Sequence, residues 1–260
     1  MARNKEQNWN TSRLARLFAS LLALCVWQLV AALVHNSLLL VGPVQVARRL
    51  WALVQTWDFW QAVGFTFSRI TLGFLLGFLL ALVLAALAAR FPLAEVLLHP
   101  YLTAVKTVPV ASFIVIALLW LSGRRLSIFI SFLMVLPVLY SNFLQGIRGA
   151  DGKLLEMARV FRMSLWNRLR GIFLPAFEPH CLSGCRSALG LCWKAGVAAE
   201  VIGVCGGSVG GMLYDAKVYL EIGDLFAWTL VIVLLSATLS TLAAWALRRA
   251  KRALCGEVEG

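Results

Sequence analysis

Charged residues are scarce in this 260-residue chain. They make up 14% of the sequence, whereas a soluble domain carries about 25%. Acidic residues are scarcer still, at 12 against 24 lysines and arginines, so the formal net charge is +12. Hydrophobic residues reach 61% and lie in long runs, some near the 20 residues or so that cross bilayer hydrocarbon. These proportions exclude an ordinary soluble domain and predict a membrane protein.

Signatures of catalysis and metal binding are also missing. The chain has three histidines, none at a metal-binding spacing, and it has no nucleophile elbow. Cys181 and Cys185 have no second cysteine pair or histidine pair that would complete a zinc site. No GxxxxGKS/T phosphate loop occurs, so the chain encodes no ATP site. We therefore expect neither an enzyme nor a cofactor bound by the chain itself.

The excess of basic residues does not indicate a nucleic-acid partner. Nucleic-acid binding would favour a basic stripe with interleaved aromatic residues in a soluble fold. Here the lysines and arginines lie at the ends of apolar segments. Charges in those places set the orientation of membrane spans and suit contact with anionic lipid. We expect membrane lipid, and no nucleic acid, around this chain.

The apolar runs predict an all-α, polytopic membrane protein with about six transmembrane helices. Pro109 and Pro137 fall inside the third and fourth runs, where we expect them to kink the helices rather than act as hinges. Gly73 and Gly77 form a small-xxx-small pattern that favours close helix packing. The predicted spans are approximately 14–34, 70–89, 101–121, 126–145, 187–204 and 225–247.

The first 64 residues form a predicted N-terminal region. Its apolar run is longer than the core of a signal peptide and no small-residue cleavage site follows, so we expect a retained helix. An amphipathic stretch, Val44–Trp60, follows the first span. Its Trp51, Trp57 and Trp60 suit the headgroup layer of the membrane.

Basic residues predict the orientation of the chain. Six spans place both termini on one side, and that side would carry fifteen lysines and arginines in its leader, loops and tail. The opposite loops would carry five. Because basic residues favour the cytoplasmic side, we expect a multi-pass inner-membrane protein with its N- and C-termini in the cytoplasm.

The loop between the fourth and fifth spans, residues 148–175, is long and basic. Apolar residues recur in it at helical spacing, with arginines between them. It is predicted to form a helix that Asp151 and Gly152 open and Pro175 ends. Two interpretations remain open on these grounds: an interfacial helix lying on anionic lipid, or a docking element for a soluble partner.

This loop resembles the EAA loop of binding-protein-dependent ABC importer permeases, whose pattern is EAA-x3-G-x9-I-x-L-P. Two positions depart from the pattern, since Met157 replaces the first alanine and Arg162 occupies the glycine position. The positions that agree in register are Glu156, Ala158, Ile172, Leu174 and Pro175. Weaker similarity, from about Arg69 to the end of the chain, indicates the branch for aliphatic sulfonates, taurine, nitrate and thiamine precursors.

The resemblance implies a type I ABC importer permease, with a transmembrane domain at 65–250 and a cytoplasmic tail at 251–260. It implies three partners: a cytoplasmic ATPase dimer that binds the ATP, an extracytoplasmic solute-binding protein, and a second copy of the permease. The loop would dock on the ATPase through Glu156, Ala158, Arg162, Ile172, Leu174 and Pro175. Arg162 could continue the helix or form a left-handed turn, which costs a non-glycine residue about 1–2 kcal/mol.

Charged residues inside spans are candidates for the translocation pathway, because burying them in hydrocarbon is expensive. Lys194 and Glu200 both lie in the fifth span, on different faces of the helix. For Glu200, a pathway role and a structural polar contact are equally compatible with the sequence. Lys106 suits a side chain that reaches towards the interface.

The alternative function is a secondary transporter of a small solute. Such a transporter would favour internal repeats and paired discontinuous helices. The sequence shows no such repeat, so the permease interpretation is preferred.

Overall fold

The computed structural model describes residues 3–34 and 40–255 of the chain. Within these ranges the protein is helical and contains no strand, which confirms the all-α prediction. Leu169–Phe173 forms a π-helical turn between α8 and α9. The helices are α1 (Arg3–Val34), α2 (Pro43–Val54), α3 (Trp57–Arg90), α4 (Pro92–Thr107), α5 (Val110–Ala117), α6 (Gly123–Arg148), α7 (Gly152–Val160), α8 (Leu165–Arg168), α9 (Leu174–Ile202), α10 (Val209–Val218) and α11 (Ile222–Cys255).

Three described helices are long and apolar enough to cross a membrane: α3, α6 and the Ile222–Ala243 part of α11. The first predicted span falls in α1. The apolar part of that helix, Phe18–Val34, is shorter than the three candidate spans. The fifth falls in α9, where four charged residues, Glu178, Arg186, Lys194 and Glu200, lower its apolar character. The expected six spans thus include three that length and composition identify directly.

The predicted third span is a bent pair of helices and not one kinked helix. α4 and α5 are separated at Val108 and Pro109 and bend by 100°. The expectation of a simple kink at Pro109 is wrong, because the residue before a proline is driven into an extended conformation. Val108 adopts it, with φ −74° and ψ 133°. Pro137, in contrast, lies inside an unbroken α6.

The described chain divides into two compact units. One contains the part before Gln61 together with Leu213–Val231. Its core joins Val41, Val46 and Ala227, and the Arg49 side chain forms a bidentate ion pair with Asp224. The amphipathic prediction for this region is confirmed in part, because α2 is amphipathic and Trp51, Trp57 and Trp60 are exposed, but Trp57–Trp60 belongs to α3.

The second unit contains Gln61–Met212 and the chain after Val231. Its main helix pair is α6 with α9, and α3 packs against both. Close approach depends on small residues, as expected for helices in lipid. A methyl group at Gly73 would lie 2.5 Å from the carbonyl oxygen of Ile128, so the predicted small-xxx-small face contacts α6.

Candidate functional site

The segment between α6 and α9, residues Gly152–Phe173, is the candidate site and is called the coupling segment below. It begins as predicted, since the Asp151 side chain caps α7 by accepting a hydrogen bond from the Lys153 backbone N–H at 2.9 Å. Such a cap satisfies a donor that the first helical turn leaves unpaired. The segment lies between the α6 and α9 helices and outside the candidate spans.

A left-handed turn at Arg162 ends α7. Arg162 has φ +47°, the Met163 N–H donates to the Ala158 carbonyl at 2.9 Å, and the Arg162 N–H donates to the Arg159 carbonyl at 3.1 Å. This bond pair defines a Schellman cap, and the residue in the left-handed position is usually glycine. Of the two alternatives for Arg162, the structure shows the turn: the arginine adopts the conformation for which the family pattern has a glycine.

After this turn the chain returns to helix in short pieces. The Ser164 hydroxyl caps α8 by accepting from the Asn167 N–H at 3.3 Å, and the π-helical turn leads into α9. The prediction that Pro175 ends the helix is wrong, because Pro175 lies in the first turn of α9. The backbone is already helical at Phe173 and Leu174, so Pro175 follows the π-helical turn inside a continuous helical run.

The six predicted coupling residues separate into buried and exposed groups. Ala158 is 1% exposed and Ile172 is 6% exposed, so they hold the segment in place and cannot contact a partner directly. Glu156, Arg162 and Pro175 are exposed. Leu174 lines an apolar cavity of about 380 Å³ together with Leu82, Ile147, Leu169, Phe173 and Phe177.

Apolar side chains on the outside of the coupling segment include Val160, Phe161 and Leu165, which recur at helical spacing in the sequence, and Trp166, which was not singled out. Four of them are 65–78% exposed and lie on both sides of the Arg162 turn. We call them the coupling patch: Val160, Phe161, Leu165 and Trp166. The helical spacing of apolar residues signalled an amphipathic face, but the turn that brings the two halves together is visible only in the structure.

The two predicted pathway residues occupy different environments on α9. Lys194 is exposed and Glu200 is fully buried, so they face different sides, as their spacing indicated. Glu200 Oε2 accepts hydrogen bonds from the Thr66 hydroxyl at 2.8 Å and from the Gly210 N–H at 3.2 Å. Thr66 Oγ1 in turn accepts from the Val209 N–H at 2.9 Å. Glu200 therefore ties α3 and α9 to the start of α10.

A polar cavity of about 630 Å³ lies among α4, α6 and α9. The Arg148 guanidinium bridges to Glu95, with Nη1 donating to Oε1 at 3.1 Å and Nη2 donating to Oε2. Sequence reasoning missed this cavity, because its residues are far apart along the chain and share no motif. Lys106, which the sequence predicts to reach towards the interface, is exposed and is one of the lining residues of this cavity.

Comparison with known proteins identifies the family. Residues 73–254 match the family described as binding-protein-dependent transport system inner membrane component. SsuC of Bacillus subtilis, named as an aliphatic sulfonates transport permease protein, is 31% identical over 211 residues, which cover 80% of this chain and 76% of SsuC. SsuC of Escherichia coli is 30% identical over 239 residues, covering 91% and 90%. The nitrate import permease protein NrtB of Synechococcus elongatus is 26% identical over 204 residues, covering 74% and 72%.

These relatives are transport permeases and not enzymes, which favours the permease interpretation over a secondary transporter. A permease of this family works with an ATPase and a binding protein as partners. The chain belongs to the binding-protein-dependent transport family and is an inner-membrane permease subunit of an ABC importer.

Proposed function

We propose that the coupling segment docks on the partner ATPase and transmits its movements to the spans. The observation that carries this proposal is the coupling patch, an exposed apolar surface on a segment outside the candidate spans. Contiguous exposed apolar residues in a folded protein mark an interaction surface. The register of Glu156, Ala158, Ile172, Leu174 and Pro175 with the EAA pattern supports the same assignment.

The structure of the segment suits docking by shape as well as by composition. Buried Ala158 and Ile172 anchor its two halves, and the Arg162 turn presents Phe161 and Trp166 outward. Fully burying an aromatic or aliphatic side chain contributes roughly 1.5–3 kcal/mol. Aromatic residues of this kind often dominate the binding energy of an interface.

The assembly and orientation follow from the same proposal. The permease forms a homodimer, with one coupling segment for each ATPase of the dimer, and an extracytoplasmic solute-binding protein delivers the cargo. Both termini are cytoplasmic, as the fifteen-to-five distribution of basic residues indicates. The chain holds no cofactor of its own. Of the two pathway candidates of the fifth span, Lys194 is exposed and stays a candidate, whereas buried Glu200 makes a structural contact with Thr66 and Gly210.

Small oxyanions are the proposed cargo class. The relatives described above are named for aliphatic sulfonates and nitrate, which share a negative charge on oxygen. The +12 net charge of this chain is compatible with anionic cargo.

Replacement of Trp166 by alanine tests the docking surface. We expect Trp166→Ala to weaken co-purification with the ATPase by about tenfold or more, which corresponds to about 1.4 kcal/mol. Trp120→Ala is the matched control, since Trp120 is 76% exposed and lies between α5 and α6. Equal ATPase recovery with both variants would contradict the docking assignment. The coupling patch would then be assigned to the lipid interface.

A further inference from the structure

An open groove between α3 and α6 has one charged residue in its described lining. The groove has a volume of about 580 Å³. Arg125 is the charged residue, and the other described lining residues are leucines, phenylalanines and an isoleucine. Leu76, Leu80 and Phe129 are 38–45% exposed, so a molecule outside the chain can reach the groove. The lining therefore suits a ligand that is apolar along its length and charged at one end.

The length of the groove matches one leaflet of a bilayer. α3 and α6 are both candidate membrane spans, and they run in the same direction, because a methyl group at Gly73 would contact Ile128 and one at Gly77 would contact Phe132. Arg125 and Phe132 are about 10 Å apart along α6, within the roughly 15 Å of hydrocarbon in one leaflet. The 26 residues of α6 span about 39 Å, so its first turn, which includes Arg125, can reach the headgroup layer.

Arg125 is a cation without an acidic partner in the described part of the chain. Asp58, in the first turn of α3, is the one acidic residue of the two helices and lies far before Leu76 in the sequence. Arg124 adds a second exposed cation at the start of α6. A guanidinium group matches the geometry of a phosphate, and basic residues at a membrane surface attract anionic lipid.

We propose that this groove binds an anionic phospholipid. Its phosphate lies at the Arg125 guanidinium, and one acyl chain lies along Leu76, Leu80, Phe129 and Phe132. Because the groove lies between two candidate spans, its surroundings supply such a ligand directly.

A second permease copy matches the groove less well. It could cover the apolar lining, but it would have to pair Arg125 with a carboxylate. The acidic residues of the three candidate spans are Asp58 and Asp224, and Asp224 is already paired with Arg49. A phospholipid brings its own negative charge to the end of the groove where Arg125 lies.

The bound lipid would also contact the bent helix pair. Leu121 lines the groove and belongs to the turn between α5 and α6. An acyl chain in the groove therefore packs against α3, α6 and the chain that follows the α4–α5 bend. The inference goes beyond the proposed function and does not rest on it, because Phe132 lies about 24 Å along α6 from Arg148, where the coupling segment follows.

Lipid titration of the purified permease in maltoside detergent, followed by native mass spectrometry, tests the proposal. The probe is palmitoyl-oleoyl phosphatidylglycerol, and the phosphatidylcholine with the same chains is the comparison without net charge. We expect saturable phosphatidylglycerol binding, weaker binding of phosphatidylcholine, and a loss of affinity of about fivefold or more in Arg125→Gln. Arg124→Gln is the matched control, since Arg124 is exposed on the same turn but does not line the groove.

A second pair of variants tests the apolar part of the groove. Leu76→Trp places a larger side chain in the groove and should weaken phosphatidylglycerol binding about fivefold or more. Leu87→Trp is its control on the same helix, because Leu87 is 44% exposed against 45% for Leu76 and does not line the groove. Co-purification of the ATPase with Arg125→Gln and Leu76→Trp should be unchanged, which shows that both variants fold.

Three results would overturn the proposal. Equal phosphatidylglycerol affinity in all four variants would show non-specific surface lipid only. Equal affinity for phosphatidylglycerol and phosphatidylcholine would exclude recognition of the anionic headgroup by Arg125. A dimer that is lost in Leu76→Trp and kept in Leu87→Trp would assign the groove to the second permease copy.

Discussion

The Thr66 hydroxyl on α3 donates a 2.8 Å hydrogen bond to Glu200 Oε2 on α9, between residues that are 134 positions apart in the chain. The same hydroxyl oxygen accepts from the Val209 N–H, so one side chain pairs with both a buried carboxylate oxygen and a buried backbone donor. Small changes to such a network have large effects, because each lost bond leaves a buried partner unpaired.

Thr66→Val is predicted to destabilise the protein by about 1–3 kcal/mol, because it keeps the shape of the side chain and removes the hydroxyl. Thermal unfolding in detergent, followed by the loss of monodisperse protein, measures the effect. Thr229→Val is the control, since the exposed Thr229 hydroxyl bonds only within its own helix, to the Leu225 carbonyl. Equal stability of the two variants would show that the buried network contributes little.

Gly196→Ala is predicted to destabilise the α3–α6–α9 packing by about 1–3 kcal/mol. A methyl group there would lie 2.5 Å from Ser131 Oγ and 2.8 Å from Ile70 Cγ1. Gly190→Ala, on the same helix, has no heavy atom within 4 Å of the added methyl and should leave the melting temperature unchanged or raise it. A lower melting temperature for Gly190→Ala than for Gly196→Ala would contradict the packing described for α9.

Arg162→Gly is predicted to preserve ATPase docking and to relieve a left-handed conformation that costs about 1–2 kcal/mol. Arg162→Pro should abolish docking, because proline cannot adopt a positive φ and lacks the N–H that bonds to the Arg159 carbonyl. Co-purification with the ATPase measures both outcomes. Arg162→Ala distinguishes the contribution of the side-chain charge to docking from that of the backbone conformation, since alanine keeps the strained turn and removes the guanidinium. Normal docking by the proline variant would rule out a requirement for the turn.

Glu156→Lys is predicted to reduce ATPase affinity at least about thirty-fold, because docking is proposed to bury Glu156 in a charge pair and breaking such a pair typically costs about 2–5 kcal/mol. Glu156 is exposed, so the permease should still fold. Arg124→Glu is the matched charge reversal, located at the start of α6, and should leave association unchanged. Unaltered transport and co-purification by Glu156→Lys would remove Glu156 from the proposed interface.

Reporter fusions test the orientation. A reporter that is active only in the cytoplasm should be active when it is joined after Gly260, since basic residues favour the cytoplasmic side. A second fusion, placed after Lys217 in the predicted outer loop, should be inactive. The reverse pattern would reject the predicted topology.

Local patterns in the sequence predicted much of this fold and part of the site. The helix start at Asp151, the close packing at Gly73 and the opposite faces of Lys194 and Glu200 each depend on residues near one another in the chain. The sequence predicts where the chain bends, at Pro109, but it does not predict the angle of 100°, because packing around the break decides that angle. The Arg162 turn was undecided, since an arginine at a glycine position can follow either conformation.

The polar cavity could not be predicted. Glu95 and Arg148 are 53 positions apart, and His180 lies farther along on another helix, so only the tertiary fold makes them neighbours. The cavity and the ion pair in its lining are therefore properties of the folded chain.

The unbroken course of α9 has a mechanical consequence. Its 29 residues span about 43 Å at 1.5 Å per residue, more than the hydrocarbon thickness of about 30 Å. One end of this rod continues directly from the π-helical turn of the coupling segment, and Glu200 lies near the other end. If the coupling segment docks as proposed, a tilt imposed at that end passes along one continuous helix, with Pro179 in its second turn, to the end that holds Glu200.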